Sequence, residues 1–137
     1  MASADSVSAD VAHTLAYANL LDVFSNRNRE SRRRAIQETY HADVTFYEPD
    51  SVTTGHDGVD SKCEELLSAR KGWGFVPVGN VQRNHGMVYL AWGFGPRDTA
   101  TGEVEAKVKG ADVLMVEEGK IRKFWVIIEG VTDSKSS

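Results

Sequence analysis

Apolar positions recur along this chain with two different periods. Between residues 10 and 25, His13, Tyr17, Leu20, Leu21 and Phe24 share one face at helical spacing, and Val11, Leu15 and Ala18 form a second stripe. This predicts a helix from Asp10 to Ser25, N-capped by Asp10 and packed on two sides. A second helix is predicted over Arg29 to His41, with Ala35, Ile36 and Tyr40 inward. Its RNRESRRR opening reads as a solvated basic face, because no aromatic residue interleaves with the arginines. The period then shortens. Val44, Thr45, Phe46 and Tyr47 are β-branched or aromatic and predict a strand, which ends on Glu48 immediately before Pro49.

The stretch TTGHDGVDSKCEELLSARKG predicts a turn, a helix and its stop. Val59, Cys63, Leu66 and Leu67 sit at helical spacing, and Gly72 can take the left-handed conformation that ends a helix. Strands follow: WGFVPVGNVQ, then GMVYLAWGFG after a turn at Asn84-His85-Gly86. PRDTATG is a polar hairpin tip, EVEAKVKGADVLMVE a long strand, EGK a tight turn, and IRKFWVIIEG the last strand. Helices first and an antiparallel meander afterwards define an α+β chain.

Composition narrows the function. The 137 residues suit one domain, expected over residues 9–130, with polar ends at 1–8 and 131–137 that fray. A net charge of −4 argues against nucleic acid and against an anionic membrane as partners. No run approaches the roughly 20 apolar residues that span a bilayer, and MASADSVSAD lacks the pattern of a secretory leader. The lone Cys63 has no thiol partner for a disulfide or zinc, which fits a reducing, cytoplasmic setting, and reads as buried helix packing. None of His13, His41, His56 and His85 makes a metal-ligand spacing, so no metal is expected.

Strand side chains alternate in direction, so candidate chemistry can be placed by parity. If Glu48 faces the concave side of the sheet, Val44 and Phe46 do too; Asp112 shares its face with Leu114 and Val116. Leu90, Trp92 and Phe94 can share one face with Val88, and Phe124, Val126 and Ile128 another. With Phe24 from the first helix, these residues predict a mostly apolar cavity for a small apolar ligand, containing the carboxyls of Glu48 and Asp112 and the phenol of Tyr17. Burial raises a carboxyl pKa, and neighbouring acids drive each other's titrations apart, so one can serve as base while the other stays protonated. Each of the three also admits a purely structural reading. Glu48 can be a rim residue paired with an arginine, Asp112 can hold a structural hydrogen bond to the first helix, and Tyr17 can be a core tyrosine. Trp125 and Ile127 point to the opposite sheet face with Met87 and Tyr89, an apolar surface that calls for a partner.

The element order, FYEPD, TGHDGV opening the third helix, and GAD followed by EEGKI resemble the NTF2-like superfamily over about residues 9 to 130. Among its members the chain is most similar to small SnoaL-like proteins. The resemblance implies a cone of curved antiparallel sheet around a pocket closed by helices, and a homodimer through the outer sheet face. It also resembles the ketosteroid isomerases of the same fold. That likeness puts Tyr17 of AYANLLDV at the oxyanion-hole tyrosine, Glu48 of YEP at the general base and Asp112 of KGADVLMV at the protonated hydrogen-bond donor. The base there is Asp, one methylene shorter than Glu48, and the hairpin around GPRDTATGE is longer here. The implied activity is cofactor-independent proton transfer on an apolar carbonyl compound. Isomerisation or an aldol-type cyclisation of a polyketide, terpenoid or steroid-like metabolite is the expected reaction, within secondary metabolism. A non-catalytic binding module is the alternative. Epoxide hydrolase-like water addition ranks behind both, because no arginine falls on a predicted pocket-facing position.

Overall fold

The computed structural model describes residues 6–131. Helix α1 (Ala9–Tyr17) is capped by Ser8, whose hydroxyl accepts from the Val11 N–H at 3.2 Å. The cap is therefore Ser8 and not Asp10, which sits in the first turn, where its charge complements the helix dipole. Val7, within the segment expected to fray, is buried; its N–H donates to the His85 carbonyl and its carbonyl accepts from Arg83. Of the expected C-terminal tail, only Val131 lies among the described residues.

The predicted single α-helix to Ser25 changes winding after Tyr17. Ala18–Phe24 forms a π-helical segment, and the Ser25 N–H reaches back to the Leu20 carbonyl at 3.0 Å. Such segments are rare and concentrate at functional sites. Here it leaves Asn19, Leu20, Val23 and Phe24 all buried. Helix α2 (Arg29–Thr39) stops two residues earlier than expected, because Tyr40 already pairs with Ile121 and its ring stacks on Phe124 at 5.3 Å. Long-range pairing and aromatic burial override helix continuation.

Strand β1 (Tyr40–Glu48) turns at Pro49 into β2 (Ser51–Thr54), and α3 (Gly55–Ala69) follows. The helix ends at Ala69 with Arg70 as its cap, so Gly72, left-handed with φ of 78°, shapes the turn that follows and does not itself end the helix as expected. Strands β3 (Trp73–Asn84), β4 (Met87–Pro96), β5 (Val108–Glu117) and β6 (Lys120–Ile128) form an antiparallel meander. The sheet order is β2-β1-β6-β5-β4-β3. β1 lies parallel to β6, so the six-stranded sheet is mostly and not wholly antiparallel. The long strand predicted from Glu103 enters the regular ladder only at Val108. Before that, the backbone crowds β4 so closely that a Cβ on Gly95 would come within 1.8 Å of the Glu105 carbonyl oxygen. The inner sheet face and the helices enclose one core, including Val44, Val88, Leu90, Leu114, Val116 and Phe124.

The basic face of α2 is solvated at Arg29, Arg33 and Arg34, as predicted, but not at Arg32. Arg32 is fully buried, donating to Asp60 at 2.8 Å and to Glu64, while Arg29 and Arg33 reach the other Asp60 oxygen at 3.1 and 3.0 Å. Burial alone would raise the Asp60 pKa, but hydrogen bonds from Arg32 and Arg29 and their charges hold it below the usual range. The arginines thus clamp α2 to α3. Cys63, buried beside them, has its thiol pushed up by burial.

Candidate functional site

The register of the meander brings the site together. Leu90 pairs with Asp112 and Asp112 with Val126, so the middle of β5 is flanked on both sides by apolar neighbours. Two residues further along β4, Trp92 pairs with Gly110, and a Cβ there would meet the indole at 2.7 Å. Glycine lets the indole lie flat across β5. From that position its Nε1–H donates to Asp112 Oδ1 at 3.1 Å.

Asp112 is held from the other side by the π-helical segment. Asn19 Nδ2 donates to Asp112 Oδ2 at 3.0 Å, and the Tyr40 hydroxyl donates to Asn19 Oδ1. The tyrosine thereby fixes which end of the carboxamide faces the acid. The Tyr40 carbonyl in turn accepts from His56 Nε2 at 3.0 Å, which accounts for that histidine. Burial pushes the Asp112 carboxyl up to about 7, with the hydrogen bonds from Trp92 and Asn19 pulling the other way. Burial likewise pushes the Tyr40 hydroxyl well above its ordinary range.

Asp112 lies on the wall of a cavity of about 340 Å³, within the range of small-molecule sites. Phe24, Phe46, Trp92 and Phe94 line it as predicted, and so do Phe124, Val126 and Ile128. Leu90 and Leu114 do not; both are packed in the core beneath. Parity correctly gave their face, but sheet curvature decides which inward side chains stop short of the cavity.

Glu48 lines the same cavity at its mouth. Its side chain is 26 % exposed and accepts from Ser51 Oγ at 3.0 Å, with Lys62 Nζ at 3.4 Å. It is a rim carboxylate paired with a lysine, not an isolated acid deep in a closed cone. Tyr17 is not brought to Asp112: it stays outside the cavity lining, with its ring stacked on His13 at 4.2 Å. The phenol near Asp112 is Tyr40, which sequence reasoning had placed on an inward helix face.

Sequence reasoning also missed the mouth. Lys62, Glu65, Leu66, Ala69 and Arg70 all line it, a spacing that marks one face of α3. That periodicity is in the sequence, but nothing local shows that this face, half polar, turns toward the sheet. Arg70 corrects the expectation that no arginine faces the pocket. Among the described residues, no cluster of three or more His, Cys, Asp or Glu is placed to hold a metal, and no helix is long and apolar enough to cross a membrane.

A cone of mostly antiparallel sheet with three helices over its concave face and a pocket between them is the NTF2-like fold, and solved structures bear this out. A candidate isomerase of the SnoaL-like family from Agrobacterium tumefaciens superposes with a TM-score of 0.76 at 19 % identity, covering 87 % of this chain and 98 % of that one. A candidate polyketide cyclase from Acidithiobacillus ferrooxidans gives 0.69 at 16 % identity, covering 92 % and 93 %. A protein with a ketosteroid isomerase-like fold from Catenulispora acidiphila, in complex with trimethylamine, gives 0.64 at 12 % identity, covering 92 % and 90 %. Searches against protein-family models and against curated proteins gave no match.

Proposed function

We propose that this protein is a cofactor-independent acid–base enzyme that moves a proton on an apolar, carbonyl-containing small molecule, as an isomerase or an aldol-type cyclase. One observation carries the reading: a buried carboxyl, Asp112, lies on the wall of an apolar cavity, fixed at both oxygens and shifted to about 7. A group poised near neutral pH is present in both protonation states and can take and return a proton. The names of the isomerase and cyclase neighbours agree with this chemistry. A polyketide, terpenoid or steroid-like skeleton fits the aromatic walls.

In this scheme Asp112 in its ionised form takes the proton α to the substrate carbonyl, and in its protonated form delivers it to another carbon or to the oxygen. Trp92 and Asn19 stabilise the ionised form and keep the carboxyl from turning. Glu48, ion-paired with Lys62, is a further carboxylate of the lining, at the mouth. The base role that the isomerase likeness gives Glu48 passes to Asp112, and the oxyanion role given to Tyr17 has no place beside the cavity. The outer face, with the Tyr47 ring stacked on Trp125 at 5.1 Å and Trp125 and Ile127 36 % and 43 % exposed, is the surface through which two copies would pair.

The test is deuterium exchange into enolisable ketones in heavy water, followed by proton NMR. Asp112→Asn keeps the side-chain shape and is expected to lower the exchange rate about 10²–10⁴-fold. Glu48→Gln is expected to lower it less than tenfold. Exchange by Asp112→Asn at the wild-type rate would remove the catalytic reading and leave a binding module, the reading that the ion-paired state of Glu48 favours.

A further inference from the structure

The mouth of the cavity carries charge that the proton-transfer scheme does not use. Four residues of α3 and Arg70, the residue that caps its end, form this rim, and two of the five are cations, Lys62 and Arg70. Lys62 is already engaged, 3.4 Å from Glu48 and 4.0 Å from Glu65. Arg70 is not. Among the described residues no carboxylate lies within ion-pair distance of its guanidinium. Its Nη1 donates only to the neighbouring Ala69 carbonyl at 3.2 Å, and its central carbon lies 5.5 Å from the centre of the Trp73 ring. The rest of its donor fork is open at the rim.

The root of this side chain is pinned. Arg27 donates to the carbonyls of Leu67, Arg70 and Trp73 at 2.9, 2.6 and 2.9 Å, so the end of α3 and the turn after it are tied together under Arg70. A guanidinium on a fixed base, stacked over an aromatic ring, presents the planar fork that pairs two-to-two with a carboxylate. The depth of the cavity disfavours an anion, because Asp112 is there and the walls are apolar. The two ends therefore differ. At the mouth the cations Lys62 and Arg70 stand with the carboxylates Glu48 and Glu65, and Lys62 answers both carboxylates, which leaves Arg70 to take a further anion, whereas the interior rejects one.

We infer that the ligand of this cavity is an amphipathic acid, with an apolar carbonyl-bearing body against Phe46, Phe124 and Asp112 and a carboxylate at the mouth on Arg70. This deepens the proposed function and rests on it. The charge anchor sets the depth and direction in which the chain enters, and so which carbon meets Asp112.

Calorimetric titration at pH 8 with 5-oxodecanoate and its methyl ester separates the possibilities, since the two share a skeleton and differ in charge. The acid is expected to bind wild type about tenfold more tightly than the ester, and added salt is expected to weaken only the acid. Arg70→Gln is expected to bring the ratio close to one with the ester's affinity unchanged. Lys71→Gln, a neighbouring exposed charge outside the lining, is expected to keep the wild-type ratio. Equal affinities for both probes in wild type, or a preference that survives Arg70→Gln, overturn the inference and leave the apolar cavity reading intact. Failure of both probes to bind overturns that reading and the inference with it.

Discussion

Asp112 shows how a single side chain takes its properties from its surroundings. An aspartate in solution titrates near 4, and here burial moves it to about 7. The folded protein thus holds a proton that the unfolded chain has already released between those two values. The contribution of Asp112 to stability therefore falls as pH rises through that window. Chemical denaturation between pH 4 and pH 7.5 is expected to show this decline, and Asp112→Asn is expected to flatten it, because asparagine has no proton to lose. Asp60 runs the other way. Its lowered pKa means that its contribution is present above the unfolded carboxylate range and is lost as pH falls below it. A profile of Asp112→Asn that still declines like wild type would mean that the acid is solvated.

At the scale of elements, two devices position the site. One is the π-helical segment, which points Asn19 at Asp112 while Leu20 and Phe24 reach the cavity wall. The other is the arginine clamp between α2 and α3. Arg32 and Asp60 are both nearly inaccessible, and their pairing fixes the helix that supplies the mouth. Removing one member leaves the other charge buried without its partner, a change that typically costs about 3–5 kcal/mol. Asp60→Ala is therefore expected to lose stability in that range in urea unfolding. A loss below about 1 kcal/mol, the size expected of an exposed pair, would show that water reaches Arg32.

For the whole molecule, the two faces of the sheet differ. The concave face closes the cavity; the convex face exposes Trp125, Ile127, Met115 and Val78. Exposed apolar surface of this kind marks a contact site, and two copies can cover each other's. Sedimentation of the wild-type protein is expected to give twice the 15.1 kDa chain mass, and Ile127→Glu to give the single mass at the same concentration. A wild-type protein that sediments as a monomer would end that reading. The substitution lies on the face opposite Asp112, so an unchanged unfolding midpoint separates loss of pairing from loss of fold.

The order of elements, the α+β class and the composition of the apolar wall were legible in the chain, because helical and strand periods and turn glycines are local signals. Phe46, Trp92, Phe94 and Phe124 follow from strand parity alone, and Asp112 stands out as an acid within an apolar run. The sequence could not show that Tyr40 would leave its helix to stack on Phe124, or that residues 18–24 would wind as a π-helix. Nor could it show that Tyr17 would remain outside the cavity while Asn19 reached Asp112. Those outcomes depend on partners roughly 80 to 90 residues away, whose burial outweighs a local preference of a few tenths of a kcal/mol per residue. Glu48 is the clearest case. Its place at a strand end is written in Glu48-Pro49, but whether it is a buried acid or a rim ion pair was decided by α3, which brings Lys62 beside it.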